Sequence, residues 1–310
     1  MTTHVVVPGL LDPPFTVVDG GLSTALEELG HRPDGALWTA QAVIDRPELI
    51  VAAHRRFVDA GADVVITSSY QASVDGFVRA GLDEPAARVA LASTTDLARR
   101  VGARFVAASV GPYGAYLADG SEYRGTYSAS WDEVRAYHRG KLEVLAATGA
   151  DVVAVETIPT RAEAEIVLDE LARLGSPPAW LTFTCADAVH TCGGEPFADV
   201  VDAVSSAASA GSAGSLLAVG VNCTDPRHVT PLLAAAREVT DLPFVVYPNH
   251  GRAWDAVAKC WIGDGDADLA ERAQEWVALG ARLIGGCCGV GADGVRAIAE
   301  VRAALIDHGV

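Results

Sequence analysis

The chain has 310 residues, of which 50% are hydrophobic and 20% are charged, a balance typical of a globular protein. Its formal net charge of −17 argues against nucleic acid or an anionic membrane as a partner, because both require clustered lysine and arginine. Six cysteines in a chain of this length do not form the disulfide framework of a small secreted domain. Residues 1–14 lack a basic segment followed by an apolar core, and the uncharged residues 203–224 contain too much serine and glycine for a membrane span, so we expect a cytoplasmic protein.

Apolar segments typical of buried strands alternate with helical patterns along the chain. The predicted strands are Phe15–Val18, Val64–Thr67, Phe105–Val110, Val152–Val155, Ala179–Thr184, Leu216–Val221, Phe244–Tyr247 and Ala281–Ile284. The helical patterns between them include Pro47–Ala60, Pro85–Val101, Trp131–Thr148, Arg161–Leu174, Pro226–Val239 and Asp266–Leu279. Strands that are almost continuously hydrophobic indicate a parallel sheet covered on both faces.

Glycines follow several of these helices, where a left-handed C-cap is expected. The same helix-to-strand phrase appears twice, at Gly61–Val64 and at Gly149–Val152, with a near match at Gly280–Leu283. Roughly eight β/α units of this kind predict a (β/α)₈ TIM barrel, an α/β fold with a single domain over residues 1–310. A doubly wound open sheet is the alternative.

Two cysteines, Cys287 and Cys288, lie between glycines immediately after the last predicted strand. A vicinal disulfide would be strained, and a soft metal explains the pair better. A third cysteine, Cys223, follows the strand Leu216–Val221, and adjacent parallel strands would bring it to the pair. Three thiolates with one open position are typical of a catalytic zinc site, although buried structural cysteines remain the alternative.

Other polar side chains also follow the predicted strands, at the end of a TIM barrel where active sites lie. They are Asp19-Gly20-Gly21, Ser68-Ser69-Tyr70-Gln71, Gly111-Pro112-Tyr113, Glu156-Thr157, Cys185, Asn222-Cys223, Pro248-Asn249-His250-Gly251 and Gly286-Cys287-Cys288. The opposite, helix-to-strand turns carry mainly glycine, alanine and aspartate. This asymmetry supports both the barrel and the position of the site.

These strand ends resemble the homocysteine S-methyltransferase family, whose members are zinc-dependent (β/α)₈ barrels. The segments that carry the resemblance span residues 18–289; they are Val18–Gly21, Leu37–Thr39, Ile66–Ser73, Ser109–Tyr116, Glu156-Thr157, Gly220–Cys223 and Gly285–Gly289. The stretch Gly111–Tyr123 is most similar to the branch that uses S-methylmethionine as methyl donor. The loop Ala186–Glu195, with its additional cysteine Cys192, departs from that branch.

The resemblance implies that Cys223, Cys287 and Cys288 bind Zn²⁺ and that the homocysteine thiol takes the open position. Asp19 and Glu156 are carboxylates at strand ends, suited to the ammonium group of homocysteine, and the resemblance places both in the homocysteine site. A turn residue is the alternative for Asp19.

Three further side chains complete the predicted site. Asn222 is expected to orient Cys223 or to contact substrate, with a backbone-capping asparagine as the alternative. Trp38 and Tyr70, together with Tyr113, are suited to hold a sulfonium cation by cation–π contact, and core packing is the alternative for Trp38. His250 is expected to be a structural residue, because methyl transfer between sulfurs needs no proton from the protein.

The predicted activity is zinc-dependent transfer of a methyl group from S-methylmethionine, or from S-adenosylmethionine, to homocysteine, giving methionine. The alternatives are betaine or another donor on the same fold, and a non-catalytic zinc-binding barrel. A dinucleotide site at Gly289–Gly294 lacks the acidic residue expected about twenty positions later. A Schiff-base lyase needs a lysine at a strand end, where neither Lys141 nor Lys259 lies. The expected partners are therefore small molecules, without nucleic acid or membrane.

Overall fold

The computed structural model describes residues 7–31, 37, 39–175, 178–209, 216–251, 253–255, 260–262 and 269–308. Eight parallel strands form one sheet: β1 (Thr16–Val17), β2 (Val64–Ile66), β3 (Phe105–Val110), β4 (Val152–Ile158), β5 (Ala179–Phe183), β6 (Leu216–Asn222), β7 (Phe244–Tyr247) and β10 (Ala281–Ile284). A separate antiparallel pair, β8 (Ala253–Asp255) and β9 (Cys260–Ile262), follows β7. Each predicted strand is present, with ends that differ by at most three residues.

The strand order is β1-β10-β7-β6-β5-β4-β3-β2, and the two outer strands meet. A parallel bridge joins Val18 to Val64, and the Asp63 amide donates to the Val17 carbonyl at 2.8 Å. The sheet therefore curls into a nearly closed barrel, which confirms the (β/α)₈ fold and excludes the open doubly wound sheet.

Twelve helices are found in the described segments, and they cover the outside of the barrel or cap its loops. They are α1 (Leu22–Glu28), α2 (Thr39–Asp45), α3 (Pro47–Asp59), α4 (Val74–Arg79), α5 (Glu84–Arg99), α6 (Tyr113–Leu117), α7 (Trp131–Leu145), α8 (Arg161–Leu174), α9 (Phe197–Ser209), α10 (Pro226–Arg237), α11 (Leu269–Ala278) and α12 (Ala292–Asp307). A 3₁₀ turn covers Ser121–Tyr123. None of the helices in these segments is long and apolar enough to cross a membrane.

Local sequence signals account for the ends of these helices. Helix α7 begins with a capping box, in which the Ser130 hydroxyl accepts from the Glu133 amide and the Glu133 carboxylate accepts from the Ser130 amide. The glycines predicted to be left-handed caps all have positive φ: Gly61, Gly102, Gly149, Gly175 and Gly280. Residues 266–268, at the start of the predicted helix Asp266–Leu279, lie outside the described residues.

Two apolar layers hold the barrel together. The larger one packs the outward faces of the strands against the helices, for example Phe183 against Phe197 at 6.1 Å between ring centroids. The second fills the barrel interior with buried side chains from successive strands, including Phe105, Trp180 and Leu283. Because the interior is filled, the open space for a ligand lies at the mouth.

Candidate metal centre

The loops after β6 and β10 bring three cysteine thiols together at the carboxyl end of the barrel. The Sγ atom of Cys288 lies 3.4 Å from that of Cys223 and 3.9 Å from that of Cys287, and all three sulfurs lie within 4.8 Å of one another. The prediction that β6 and β10 are neighbouring strands is wrong, because β7 lies between them. The loops cross above β7 instead, and no imidazole or carboxylate of the described segments joins the group.

Three thiols with no fourth protein ligand fit a soft metal ion that keeps one open position. Hydrogen bonds from Cys287 and Cys288 lower the pKa of the Cys223 thiol well below its ordinary value. Cys223 is buried, whereas Cys287 and Cys288 are partly exposed. Cys185, in contrast, is buried after β5 and lies outside this group.

Close backbone packing fixes the cysteine pair on its loop. The Cys287 amide donates to the Pro248 carbonyl at 2.8 Å, and the Gly286 amide donates to the Asp19 carbonyl at 3.0 Å. A Cβ atom at Gly286 would lie 2.3 Å from the Val290 side chain, so only glycine fits there. The glycines beside the cysteines therefore allow the loop to pack against the turns that follow β1 and β7.

Two residues of the site have a left-handed backbone that non-glycine residues rarely adopt: Cys223 has φ of 48° and Thr157 has φ of 61°. The fully buried side chain of Asn222 ties them together. Its carboxamide accepts from the Thr157 amide at 2.7 Å and from the Thr182 hydroxyl at 2.8 Å, and it donates to the Thr157 hydroxyl at 2.8 Å. Asn222 thus links β6 to β4 and β5 instead of capping its own backbone, and its Nδ2 lies 3.9 Å from Cys287 Sγ.

Two carboxylates line the same mouth, and both are almost completely buried. Asp19 follows β1 and accepts from the Ile66 amide at 2.9 Å, while Glu156 accepts from the Ser109 hydroxyl. Burial raises the pKa of Asp19 well above its ordinary value, with a further contribution from the Glu156 charge. Burial also raises the pKa of Glu156 to about 7. Glu156 lies inside β4, which runs on to Ile158, and not at the predicted strand end.

Of the three aromatic residues predicted to hold the methyl donor, the structure describes Tyr70 and Tyr113. Tyr70 lies after β2, and its ring packs so closely on Gly111 that a Cβ there would come within 2.6 Å. Burial raises the pKa of Tyr70 well above its ordinary value, and the charges of Glu122 and Cys223 add to this shift. Tyr113 packs in α6 against other tyrosine rings, including Tyr116 at 5.6 Å. Trp38 lies outside the described residues.

Three residues of the mouth were not predicted from the sequence as site residues. The Tyr123 hydroxyl lies 3.5 Å from Cys223 Sγ, although 42% of the residue is exposed, and Glu122 precedes it. Lys141 donates from α7 to the Tyr70 carbonyl at 2.8 Å. The stretch Gly111–Tyr123 resembles one branch of the family and could have directed attention to these residues. Its sequence does not indicate which side chains face the thiols.

Known proteins are similar to nearly the whole chain. The sequence profile described as homocysteine S-methyltransferase matches residues 16–302, which contain all eight barrel strands and the three clustered cysteines. This chain belongs to the homocysteine S-methyltransferase family. The Escherichia coli homocysteine S-methyltransferase is 41% identical over 285 residues, covering 88% of this chain and 90% of that protein. The Bacillus subtilis homologue YbgG is 38% identical over 301 residues, covering 92% and 94%.

A solved structure extends the similarity of this homocysteine S-methyltransferase family member to three dimensions. The metallated form of the Escherichia coli homocysteine methyltransferase MmuM superposes with a TM-score of 0.82 and 37% identity, covering 95% of this chain and 99% of that one. That relative was therefore crystallised with a metal. In the present family member, the three thiols are the group suited to hold one.

Proposed function

We propose that this family member transfers a methyl group from a sulfonium compound, preferably S-methylmethionine, to the thiol of homocysteine, with Zn²⁺ held by Cys223, Cys287 and Cys288. The observation that carries the proposal is the convergence of three thiols, with one side open, beside two buried carboxylates at the barrel mouth. In the reaction, a carbon–sulfur bond forms to the homocysteine sulfur. The sulfonium carbon–sulfur bond breaks, and its electron pair stays on a neutral thioether.

The chemistry requires a thiolate, and a free thiol with a pKa near 8.5 is only a few per cent ionised at pH 7. A bound zinc ion supplies the Lewis acidity that keeps the substrate sulfur deprotonated. Ionisation alone contributes about 2 kcal/mol, or roughly thirtyfold in rate. The larger share of the rate enhancement must come from the protein, which aligns the two sulfurs and the methyl group.

The residues of the mouth supply that alignment. Asp19 and Glu156 are buried carboxylates, and no cation of the described residues forms a hydrogen bond with either. The ammonium group of homocysteine would favour their charged forms, which burial opposes. Tyr70, with Trp38 by family resemblance, offers an aromatic face to the sulfonium, worth about 1–2 kcal/mol in a dry site. Asn222 holds the strained backbone beside Cys223.

A non-catalytic zinc site is the competing interpretation. Structural zinc sites are closed by four protein ligands, whereas the group in the described residues has three. The open side therefore favours a site that receives a substrate sulfur.

Metal analysis combined with a methyl-transfer assay tests the proposal. The purified protein should contain about one zinc per chain and should form methionine from homocysteine with S-methylmethionine, S-adenosylmethionine or betaine as donor, the first being fastest. Absence of methionine with every donor, at full zinc occupancy, would overturn the proposal.

Removing one thiol tests the role of the cluster itself. Cys287→Ala should abolish zinc retention and turnover while the far-ultraviolet circular dichroism stays that of the folded barrel, because two thiolates no longer define the site. Cys185→Ala is the matched control, since Cys185 is buried but lies outside the cluster, and it should keep both zinc and activity. An active, zinc-loaded Cys287→Ala protein would contradict the assignment.

A further inference from the structure

One carboxylate oxygen near the three thiols has no hydrogen-bond partner among the described residues. Glu122 precedes Tyr123, whose hydroxyl lies 3.5 Å from Cys223 Sγ. The Oε2 atom of Glu122 is shielded from solvent and forms no hydrogen bond within the described residues. The neighbouring cation, Arg124, is directed elsewhere: its guanidinium donates to the carbonyls of Gly120 and Asp119.

The backbone around Glu122 is fixed by packing against α6. A Cβ atom at Gly114 would lie 2.3 Å from the Glu122 amide nitrogen, which shows that α6 packs directly on this turn. The adjacent Ser121 is buried, and the Tyr123 amide donates to the Gly120 carbonyl at 3.2 Å. The turn that carries Glu122 is therefore held in place by α6, with Tyr123 of the same turn beside Cys223.

The charge of Glu122 acts on Tyr70, the aromatic residue predicted to hold the methyl donor. Burial raises the pKa of Glu122 to about 7, and the charges of Asp119 and Cys223 add to the shift. In turn, the Glu122 charge contributes to the raised pKa of Tyr70. The Glu156 charge acts on both Asp19 and Tyr70, but at Tyr70 its contribution is smaller than that of Glu122.

A buried carboxylate oxygen without a hydrogen-bond donor is complementary to a group that supplies a donor together with a positive charge. A sulfonium carries charge but has no N–H, and an aromatic face satisfies it. An α-ammonium group has the charge and the N–H together. Two amino-acid substrates require two such carboxylate sites, and Asp19 with Glu156 accounts for only one.

We propose that Glu122 binds the α-ammonium group of the methyl donor and thereby selects amino-acid sulfonium compounds over donors that have no N–H. This inference rests on the proposed function, and it adds the residue that determines donor specificity. It predicts that S-methylmethionine is preferred to 3-dimethylsulfoniopropionate, a sulfonium carboxylate without an amino group, and to betaine.

The test compares the wild type with Glu122→Gln, which removes the charge and keeps the shape. The variant should lose about thirtyfold in kcat/KM for S-methylmethionine through a raised KM, because a charge-assisted hydrogen bond is lost. Its kcat/KM for 3-dimethylsulfoniopropionate and its KM for homocysteine should change less than about twofold. Asp132→Asn, an exposed carboxylate near the start of α7, is the matched control and should resemble the wild type.

An equal loss for both donors, or no loss for S-methylmethionine, would overturn the assignment of Glu122. Calorimetric binding of S-methylmethionine to the zinc-loaded protein gives the same comparison without turnover. Weaker binding by Glu122→Gln but not by Asp132→Asn supports the inference even if no methionine forms, and equal binding by all three proteins refutes it. Failure of the wild type to form methionine would overturn the proposed function alone.

Discussion

Lys141 shows how a residue far from a strand end can shape the site. Its ammonium is buried in α7, with 1% exposure, and donates to the Tyr70 carbonyl at 2.8 Å. Burial lowers its pKa to about 7, while the Glu156 charge acts in the opposite direction. The lysine therefore anchors the turn that carries the Tyr70 ring and places a positive charge near Glu156.

Lys141→Met should change the KM values of the two substrates by different amounts. Methionine fills a similar volume but leaves the Tyr70 carbonyl without its donor, so the turn loses an anchor worth about 1 kcal/mol. We expect the KM for the methyl donor to rise roughly fivefold, with a smaller change for homocysteine. Arg135→Met on the same helix is the control, because its guanidinium faces Asp169 and Glu170. Equal rises in both KM values would indicate a general structural defect instead.

At the scale of elements, the repeated β/α unit was predictable because buried parallel strands are almost continuously apolar and several helices are followed by a left-handed glycine. The three cysteines were predictable for the same reason, since each follows such a strand. The short helices α4 and α6 and the Ser121–Tyr123 turn were not predicted, because one or two turns of helix carry no clear periodicity. Glu122 and Tyr123 lie in this part of the chain, and only tertiary packing directs them to the thiols.

The contacts between strands also escaped prediction. Sequence reasoning identified Asn222 as a residue beside Cys223, but it could not show that its carboxamide reaches across to Thr157 on β4. Likewise, β7 separates β6 from β10, so the thiols meet through their loops and not through adjacent strands. Register and loop path depend on barrel closure, which is a property of all eight strands together.

The turn after β10 supports an element-scale prediction. In Gly286→Ala, the new Cβ would meet Val290 at 2.3 Å, and the loop would have to shift. Overpacking of this kind costs about 1–3 kcal/mol, and the displaced cysteines should bind zinc about tenfold more weakly. A competition titration with a chromogenic chelator measures the affinity.

The control for this prediction is Gly140→Ala in α7, where a Cβ would meet nothing within 4 Å. That change should raise stability by up to about 1 kcal/mol, because alanine favours the helix, and should leave zinc affinity unaltered. Unchanged zinc affinity in Gly286→Ala would show that the cysteine loop tolerates displacement, contrary to our expectation.

At the scale of the whole molecule, the net charge of −17 includes carboxylates whose pKa values are shifted in opposite directions. Glu170 is buried on α8, outside the barrel, where Arg135, Arg139 and Arg173 bind it and keep its pKa at about 2. Glu156 at the mouth has its pKa raised to about 7 by burial. Ionised Glu170 stabilises the folded state at neutral pH. Ionisation of Glu156 destabilises the folded state, and this carboxylate is available for a cationic ligand.

The resulting pH dependence can be measured on the metal-free protein. The ordinary pKa of the Glu156 carboxyl is 4.5, so between that value and about 7 the folded state keeps a proton that the unfolded chain releases. Its contribution to stability is complete below pH 4.5 and is lost as the pH rises through 7. Glu156→Gln removes this titration. The contributions of the other titratable groups to the pH dependence of unfolding largely cancel when the two proteins are compared. The free energy of unfolding of the variant relative to the wild type should therefore rise by about 2 kcal/mol between pH 5 and pH 7 in urea titrations. A constant difference over that interval would show that the folded state does not hold this proton more tightly than the unfolded chain, contrary to our expectation.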